Sequence, residues 1–332
     1  MIASAPGKLI LCGEHAVVYG RPALAMAVDR FTECCVQGVE DDAVYLNLTD
    51  LQHSSVWRPP QLQRHSQEIL KRYALFQQGQ LPIHRVAQRS SDVPAYLIEL
   101  ISRLKQEWQP CQIDIRSTIP IGSGMGSSAS LLTSMALALL HFYGNEVSRK
   151  DLQELVMAGE RLYHGQPSGV DAWLTIHGGM VRFQHGEAKP LPLLTRPLYL
   201  VHTGKPESST GECVQYVRQQ HGRSSIWQEF DQVCQQFETA ITRSQSESLL
   251  EAVRSNHRLL VQLGVVPVPV QEFIAGIENA GGAAKISGAG AIAGTAAGMV
   301  LVFSNEQPAE LCRLHNYPLF TVHTDEHGCR IT

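Results

Sequence analysis

Residues 120–129 read PIGSGMGSSA, and this glycine-rich stretch is the strongest local indication of the fold. It directly follows a predicted strand at 111–115 and directly precedes residues 129–143, an apolar run that predicts a helix buried on most sides. The three glycines allow the backbone to adopt positive φ and to approach a ligand closely. The following helix directs free N–H groups and its positive dipole end at the same place. The pattern therefore predicts a phosphate site.

The loop differs from two common nucleotide-binding motifs. No lysine follows its last glycine, so it is not a Walker A loop, and its glycines stand at alternate positions, so it is not Gly-x-Gly-x-x-Gly. Ser127 and Ser128 are placed to cap the helix, and a hydroxyl there can also reach a magnesium ion that bridges phosphates. The alternative is a turn that merely packs tightly. The candidates for nucleotide binding are Gly122, Ser123, Gly124, Met125, Gly126, Ser127 and Ser128.

Composition favours a protein that acts on small molecules. The chain has 332 residues, 44% of them hydrophobic, and a formal net charge of -4, so nothing draws it toward nucleic acid or an anionic membrane. Eight scattered cysteines include no Cys-x-x-Cys pair, which predicts reduced thiols. The two most apolar stretches, 129–142 and 288–303, are shorter than the roughly 20 residues of a membrane helix. The N-terminus does not read as a secretory signal, so we expect the mature protein to begin at Met1.

Runs of strands and runs of helices, rather than strict alternation, predict an α+β fold. A segment rich in proline and charge at 187–197 suggests two domains, 1–190 and 191–332. Residues 52–88 are polar and are assigned only as an insertion or lid with a helix in it. The predicted strands are 8–12, 43–48, 111–115, 178–183, 198–202, 284–287, 299–303 and 319–323. The predicted helices are 129–143, 149–163 after a Ser148-x-x-Asp151 cap, 225–243, 246–263 and 270–280.

Three further stretches carry a family resemblance. Residues 5–28 read APGKLILCGEHAVVYGRPALAMAV, residues 159–171 read GERLYHGQPSGVD before Gly178-Gly179, and residues 285–294 read KISGAGAIAG. With the loop at 120–129, they resemble the motifs of the GHMP kinase superfamily, and within it those of the mevalonate kinase family. The resemblance implies an N-terminal nucleotide-binding domain like domain 2 of ribosomal protein S5 and a C-terminal ferredoxin-like α/β domain.

The third motif departs from the family pattern. Ala291, Ile292 and Ala293 stand where further glycines are expected. The loop can still present backbone N–H groups, but bulkier side chains beside a substrate would narrow or reshape the pocket. The departure therefore bears on the choice of acceptor.

The resemblance also implies roles for individual residues. Ser128 and Glu160 would hold Mg²⁺, Asp171, after a Pro-Ser-Gly turn, would be the base at the acceptor hydroxyl, and Lys8 would lie between that hydroxyl and the transferred phosphate. Whether Asp171 takes the proton or Lys8 lowers the pKa of the hydroxyl stays open. Ser117 would contact the nucleotide. The substrate-side candidates are Glu14, His15, Thr210 in the turn after the strand at 198–202, Gly288 and Ala289.

The implied reaction is transfer of a phosphoryl group from ATP to the 5-hydroxyl of (R)-mevalonate, giving 5-phosphomevalonate for isoprenoid biosynthesis. The resemblance further implies a cytoplasmic homodimer, inhibition by isoprenoid diphosphates at the ATP site, and no nucleic acid or membrane partner. Two alternatives stay open. One is a sister kinase acting on phosphomevalonate, homoserine or a sugar, and the other is a noncatalytic nucleotide or metabolite sensor with the same fold.

Overall fold

The computed structural model describes residues 1–120, 122–194 and 198–332. Ile121 of the glycine-rich loop and residues 195–197 of the predicted linker lie outside the described residues. In the first part of the chain, the elements are β1 (Ile2–Cys12), β2 (Ala23–Gly38), β3 (Val44–Leu48), β4 (His53–Trp57), α1 (Pro59–Gln77), α2 (Asp92–Lys105), β5 (Cys111–Ser117), α3 (Ser127–Phe142), α4 (Arg149–His164), α5 (Val170–His177), β6 (Met180–Gln184) and β7 (Glu187–Pro190).

The second part begins with β8 (Leu198–His202) and four helices. These are followed by alternating strands and a short helix. The elements are β8, α6 (Thr210–His221), α7 (Ile226–Thr242), α8 (Ser246–Gln262), α9 (Val268–Asn279), β9 (Ala283–Ser287), β10 (Met299–Phe303), α10 (Ala309–Leu314), β11 (Leu319–Val322) and β12 (Arg330–Ile331). The mixture of separate strand and helix runs confirms the predicted α+β class.

Two sheets organise these elements. The first has eight strands in the order β12-β1-β2-β5-β3-β4, with β6 paired to both β2 and β7, and only the β3–β5 pair is parallel among the described strands. Strand β2 is long enough to pair with β1, β5 and β6 at different points along its length. The second sheet is antiparallel, in the order β11-β8-β10-β9. The chain ends in the first sheet, because β12 pairs with β1.

Helix α3 is the central helix of the first part. Most of its residues are buried, and it packs on β1 and β2 while α4 and α5 contact it from the side. This environment explains why the segment is apolar nearly all round rather than on one stripe. The glycine-rich loop therefore leads directly into a helix that is packed on several sides.

The second sheet is covered by amphipathic helices. Phe230 and Phe237 of α7 are fully buried, and burial of such a side chain stabilises the fold by about 2 kcal/mol. They belong to one apolar cluster that also contains Leu9 and Leu11 of β1. Strand β1 therefore contacts both parts of the chain, which brings its residue Lys8 close to the junction between them. The division at residue 190 stays a prediction.

The remaining sequence predictions about local structure have mixed outcomes. All eight cysteines are free thiols, as predicted, and the Ser148 hydroxyl accepts a hydrogen bond from the Asp151 N–H, 3.1 Å away, as the capping pattern predicts. The predicted caps Ser127 and Ser128 are wrong, because they are the first two residues of α3 and the N-cap is Gly126. Among the described residues, no helix has the length and apolar character needed to cross a bilayer.

Candidate active site

The glycine-rich loop and α3 border a cavity of about 380 Å³. Gly122, Gly124 and Gly126 all have positive φ, between 69° and 74°, as the sequence predicts for a loop that approaches a ligand. The other walls come from β1, α4, the start of α5, the start of α6 and the third glycine motif. They include Lys8, Glu160, His164, Asp171, Thr210, Gly288 and Ala289. Below, this is called the first cavity.

Lys8 lies at the centre of the site and is only 6% exposed. Its Nζ donates a hydrogen bond to the carbonyl of Gly124, 2.8 Å away, and lies 3.4 Å from Oδ1 of Asp171. Its backbone N–H donates to the Met125 carbonyl at 2.9 Å. One lysine thus connects strand β1, the phosphate loop and the carboxylate of α5.

Gly126 explains how these groups approach so closely. A Cβ added at Gly126 would come within 2.9 Å of Lys8 Cγ and within 3.5 Å of Asp171 Oδ2. The residue also has φ of 69°, which a side chain disfavours. Only glycine therefore fits between the lysine and the helix that follows the loop.

Asp171 follows the Pro-Ser-Gly turn, as the sequence predicts, and is the second residue of α5. Gly169, with φ of 92°, is the N-cap, so the carboxylate stands in the first turn of the helix, where the dipole favours negative charge. Its side chain is 30% exposed and faces the cavity opposite Lys8. The carboxylate can therefore reach a hydroxyl that is bound in the first cavity.

Glu160 is the buried acid of the site. It lies on α4 at 2% exposure, and its Oε1 atom has no hydrogen-bond partner among the described residues. Burial and the nearby Asp171 carboxylate raise the pKa of Glu160 to about 8, while the Ser128 hydroxyl and Lys8 oppose the shift. A buried carboxylate with a free oxygen, beside a serine hydroxyl, is a donor set that a hard divalent cation prefers. The residues present thus fit the predicted Mg²⁺.

The predicted substrate residues divide into two groups. Thr210, Gly288 and Ala289 line the first cavity, and Thr210 is the first residue of α6 rather than part of a turn. Glu14 and His15 are buried and are not among the described walls of the first cavity. The His15 Nε2–H donates to the Ala289 carbonyl at 3.0 Å, and Glu14 contacts Lys285 and Asn256. Burial lowers the pKa of His15, so its ring is neutral at pH 7. Direct contact of Glu14 and His15 with a substrate stays a prediction.

Two of the predicted nucleotide residues lie away from the first cavity. Ser117 lines a small apolar cavity of about 90 Å³ with Leu48, Leu51 and Leu131. Ser127 borders this small cavity and the first cavity. The Met125 side chain is buried in the core at 1% exposure, and only its carbonyl serves the site through Lys8.

The departure in the third motif lies outside both larger cavities. Ile292 is 38% exposed and is absent from their described walls, while its backbone N–H donates to the Ser208 hydroxyl at 3.2 Å. Gly290 remains necessary, because a Cβ there would lie 2.1 Å from the Val265 carbonyl. Residues 291–293 are absent from the described walls of both cavities, so their side chains do not narrow them, while a reshaped pocket stays a prediction.

The sequence reading missed several residues around the site. Lys285 lies in the third motif, where the sequence predicts no role for it, yet it is fully buried against Glu14. His164 borders the first cavity with its Nε2 3.3 Å from Ser128 Oγ. Lys205, Ser208 and Ser287 line a second cavity. A buried lysine inside a glycine motif was the one available signal, since lysine is almost never fully buried unless paired.

Comparisons with known proteins agree with this geometry. The family model of the GHMP kinases N terminal domain matches residues 95–179. The mevalonate kinase of Pyrococcus horikoshii is 30% identical over 304 residues, which cover 87% of this chain and 86% of that protein. The mevalonate kinase of Mus musculus is 32% identical over 246 residues, which cover 66% of this chain and 62% of that protein.

A solved structure gives the same fold. The crystal structure of the Methanococcus jannaschii mevalonate kinase matches with a TM-score of 0.81 and 24% identity, over 98% of each chain. The structural likeness supports the architecture, and the sequence relatives supply the family. Together with the four motifs around one cavity, they establish that the chain belongs to the mevalonate kinase family of the GHMP kinases.

Proposed function

We propose that this chain transfers the γ-phosphoryl group of ATP to the 5-hydroxyl of (R)-mevalonate. The observation that carries the proposal is the position of the Lys8 ammonium, between the Gly124 carbonyl of the phosphate loop and the carboxylate of Asp171. Phosphoryl transfer depends mainly on positioning and on stabilisation of charge. A cation held between the phosphate loop and a carboxylate supplies both at one point.

Asp171 and Lys8 both act on the hydroxyl of the acceptor. The Asp171 carboxylate accepts the proton of the attacking hydroxyl, and the Lys8 ammonium stabilises negative charge on that oxygen and on the transferred phosphoryl group. Because Lys8 is nearly buried, its charge is poorly screened by water and acts strongly at short range. The hydrogen bond to Gly124 fixes the ammonium before the substrate arrives.

Ser128 and Glu160 would hold Mg²⁺. When bound, the ion neutralises oxygens of the β- and γ-phosphates. The N–H groups at the start of α3 face the same cavity and suit the phosphates, and the apolar cavity with Ser117 suits the base of the nucleotide.

Other properties of the chain are also proposals. We expect a cytoplasmic homodimer, with ATP and mevalonate as substrates and with isoprenoid diphosphates competing at the ATP site. The carboxylate and phosphate groups of these ligands match the glycine-rich loop. Absence of inhibition by farnesyl diphosphate at limiting ATP would contradict the last of these, and sedimentation at several concentrations would test the dimer.

The test of the function is ADP release from MgATP with mevalonate, 5-phosphomevalonate, homoserine and galactose, with the position of phosphorylation read by NMR. Mevalonate should be turned over, with phosphate on its 5-hydroxyl. If only another acceptor is turned over, the proposed mechanism stands and mevalonate is not the substrate. MgATP binding without turnover of any acceptor would leave a nucleotide sensor as the function.

A further inference from the structure

Helix α1 is the helix of the polar segment 52–88, for which the sequence predicts no role in the reaction. It packs on α2, which in turn contacts α3 and α4. Two hydrogen bonds fix its position: the His65 Nε2–H donates to the Asp92 carbonyl at 2.8 Å, and the Arg72 guanidinium donates to the Val86 carbonyl at 3.1 Å. Helix α1 is therefore attached to the first part of the chain at two points along its length.

The loop at 165–169 joins the two helices that carry the acidic residues of the site. Helix α4 carries Glu160 and ends at His164, and α5 carries Asp171 in its first turn. The residues of the loop that line the first cavity are Pro167, Ser168 and Gly169. The loop therefore forms the cavity wall between the predicted metal ligand and the predicted base.

This loop is held by few hydrogen bonds. In the described parts of the chain, one hydrogen bond joins residues 165–168 to an element other than α4 and α5. In that bond, the Tyr73 hydroxyl of α1 donates to the Gly165 carbonyl at 3.0 Å. The other hydrogen bonds of the loop lead only to the two helices that it connects. Helix α1 is thus the external support of the loop.

The ring of Phe76 packs on the same glycine. A Cβ built on Gly165 would lie 2.5 Å from Cζ of Phe76 and 3.6 Å from Cδ1 of Ile83, and the φ of Gly165 is 76°. Tyr73 and Phe76 are three residues apart on α1, so both side chains face the loop. Gly165 is not among the described walls of the first cavity. Helix α1 therefore contacts the loop from outside the cavity.

The nearby parts of the site have supports of their own. The body of α5 packs on β1, α3 and α4, and the ammonium of Lys8 is held by the Gly124 carbonyl. A change in α1 should therefore disturb the loop and the first turn of α5, and should leave the fold and the phosphate loop in place.

We propose that α1 positions the loop at 165–169 from outside the cavity, with Tyr73 and Phe76 as positioning residues for Asp171. Neither side chain touches a substrate. Both act through Gly165, and they keep the start of α5 where its carboxylate meets the acceptor hydroxyl. This inference rests on the proposed function, because the step that is positioned is the phosphoryl transfer named there.

The first test is Tyr73→Phe, with Tyr143→Phe as the matched control. The Tyr143 hydroxyl, at the end of α3, forms a hydrogen bond with the Ser102 hydroxyl at 3.0 Å, away from the loop. Tyr73→Phe should lower kcat for mevalonate about fivefold with KM for MgATP unchanged. Tyr143→Phe should lower the urea midpoint and leave kcat unchanged.

The second test measures the loop without turnover, by hydrogen exchange of the peptide that spans 165–171. Tyr73→Phe should exchange at least about threefold faster there than wild type, and Tyr143→Phe should not. The concentration of Mg²⁺ needed for half-maximal activity should stay the same in Tyr73→Phe, because Glu160 lies one turn inside α4. A raised requirement would assign the effect of α1 to the metal site and would overturn the inference.

The third test compares two substitutions of Phe76. Phe76→Leu keeps an apolar group over Gly165 and should retain kcat within about twofold. Phe76→Ala leaves the glycine without its packing partner and should lower kcat about tenfold. Equal rates in the two variants would show that the ring does not position the loop.

The outcomes separate the inference from the function. If wild type does not phosphorylate mevalonate, the proposed function has failed and the inference fails with it. If wild type does so but Tyr73→Phe retains its kcat, or loses kcat without faster exchange at 165–171, the inference alone is wrong. If Tyr73→Phe and Tyr143→Phe lose kcat and stability alike, the Tyr73 hydroxyl has a structural role only, and the inference is again wrong.

Discussion

The ammonium of Lys285 donates to the carboxylate of Glu14, and both side chains are buried. Lys285 lies on β9 of the second sheet, and Glu14 follows β1 of the first. Asn256 of α8 donates to the other oxygen of Glu14 at 3.3 Å, and Lys285 also donates to the Ile10 carbonyl at 3.2 Å. Strand β9 and helix α8 of the second part thus hold Glu14. They thereby keep the turn that carries His15 against the third motif.

Lys285→Met should therefore destabilise the protein by about 3 to 5 kcal/mol, because it removes the cation that pairs with the buried carboxylate of Glu14. The free energy of unfolding in urea measures this loss. The double variant Glu14→Gln/Lys285→Met removes both charges and should recover most of it. Losses that simply add in the double variant would show that the two residues are not coupled.

The same ion pair shows what sequence reasoning could and could not predict. The motif at 285–294 predicts a turn near a ligand, and short runs rich in apolar residues predict β9 and β10, because both signals are local. The partner of Lys285 lies 271 residues away, and no local pattern encodes such a contact. The long strand β2 and helix α2 were not predicted, although α2 has an apolar face and the second half of β2 alternates between buried and more exposed residues.

At the site, the residue types were predictable and their surroundings were not. The motifs place Lys8, Glu160 and Asp171 in one family pattern, and the structure brings all three to one cavity. The sequence could not show that Glu14 faces Lys285, or that Ile292 turns to solvent, because the direction of a side chain depends on packing between distant segments. The sequence likewise could not show that the buried hydroxyls of Ser123 and Ser287 lack a hydrogen-bond partner among the described residues.

Asp171→Asn should lower kcat by roughly a hundredfold to ten-thousandfold, because the amide cannot accept the proton of the acceptor hydroxyl. The size of the side chain is kept, and Lys8 retains its hydrogen bond to the Gly124 carbonyl, so the dissociation constant for MgATP should change little. Steady-state kinetics and calorimetric titration with a nonhydrolysable ATP analogue measure the two effects. A variant with near wild-type kcat would show that Asp171 is not the base.

Glu160→Gln should raise the concentration of Mg²⁺ needed for half-maximal activity at least about tenfold. The amide keeps the volume but removes the charge of the buried carboxylate, which would otherwise neutralise the ion. Activity is measured across a titration of free Mg²⁺ at a fixed concentration of ATP. Glu154→Gln, on the same helix, is the control and should behave as wild type. An unchanged requirement for Mg²⁺ would remove Glu160 from the site.

His257 on α8 should make stability depend on pH below neutrality. Burial, then the charges of Lys285 and Arg258, lower the pKa of His257 to about 4, against about 6.5 in the unfolded chain. The unfolded state therefore binds more protons between these values, and stability is complete above pH 6.5 and is lost as the pH falls toward 4.

The loss from this one group is at most about 3 kcal/mol. His257→Gln cannot titrate, so its free energy of unfolding should fall less than that of wild type between pH 7 and pH 4.5. Urea denaturation at four pH values compares the two proteins, since the carboxylates that also titrate are common to both. Parallel curves would show that His257 is accessible to protons in the folded state.

Gly126→Ala should disable the site more than it destabilises the fold. The added Cβ would lie 2.9 Å from Lys8 Cγ and 3.2 Å from its Cε, so the ammonium must leave its position beside Asp171. The positive φ of 69° adds a cost of about 1 kcal/mol. Gly144→Ala is the matched control, because its φ is 73° and no heavy atom lies within 4 Å of the added Cβ.

Both variants should lose similar stability in urea from the strained backbone, and only Gly126→Ala should lose kcat, by roughly a hundredfold or more. Melting curves and steady-state rates on the two variants separate the contributions. If Gly126→Ala turns over at the rate of Gly144→Ala, the lysine can act from another position, and the contact between Lys8 and the Gly124 carbonyl is not what places it for catalysis. The comparison thus tests the close packing of the loop on Lys8 independently of any change in charge.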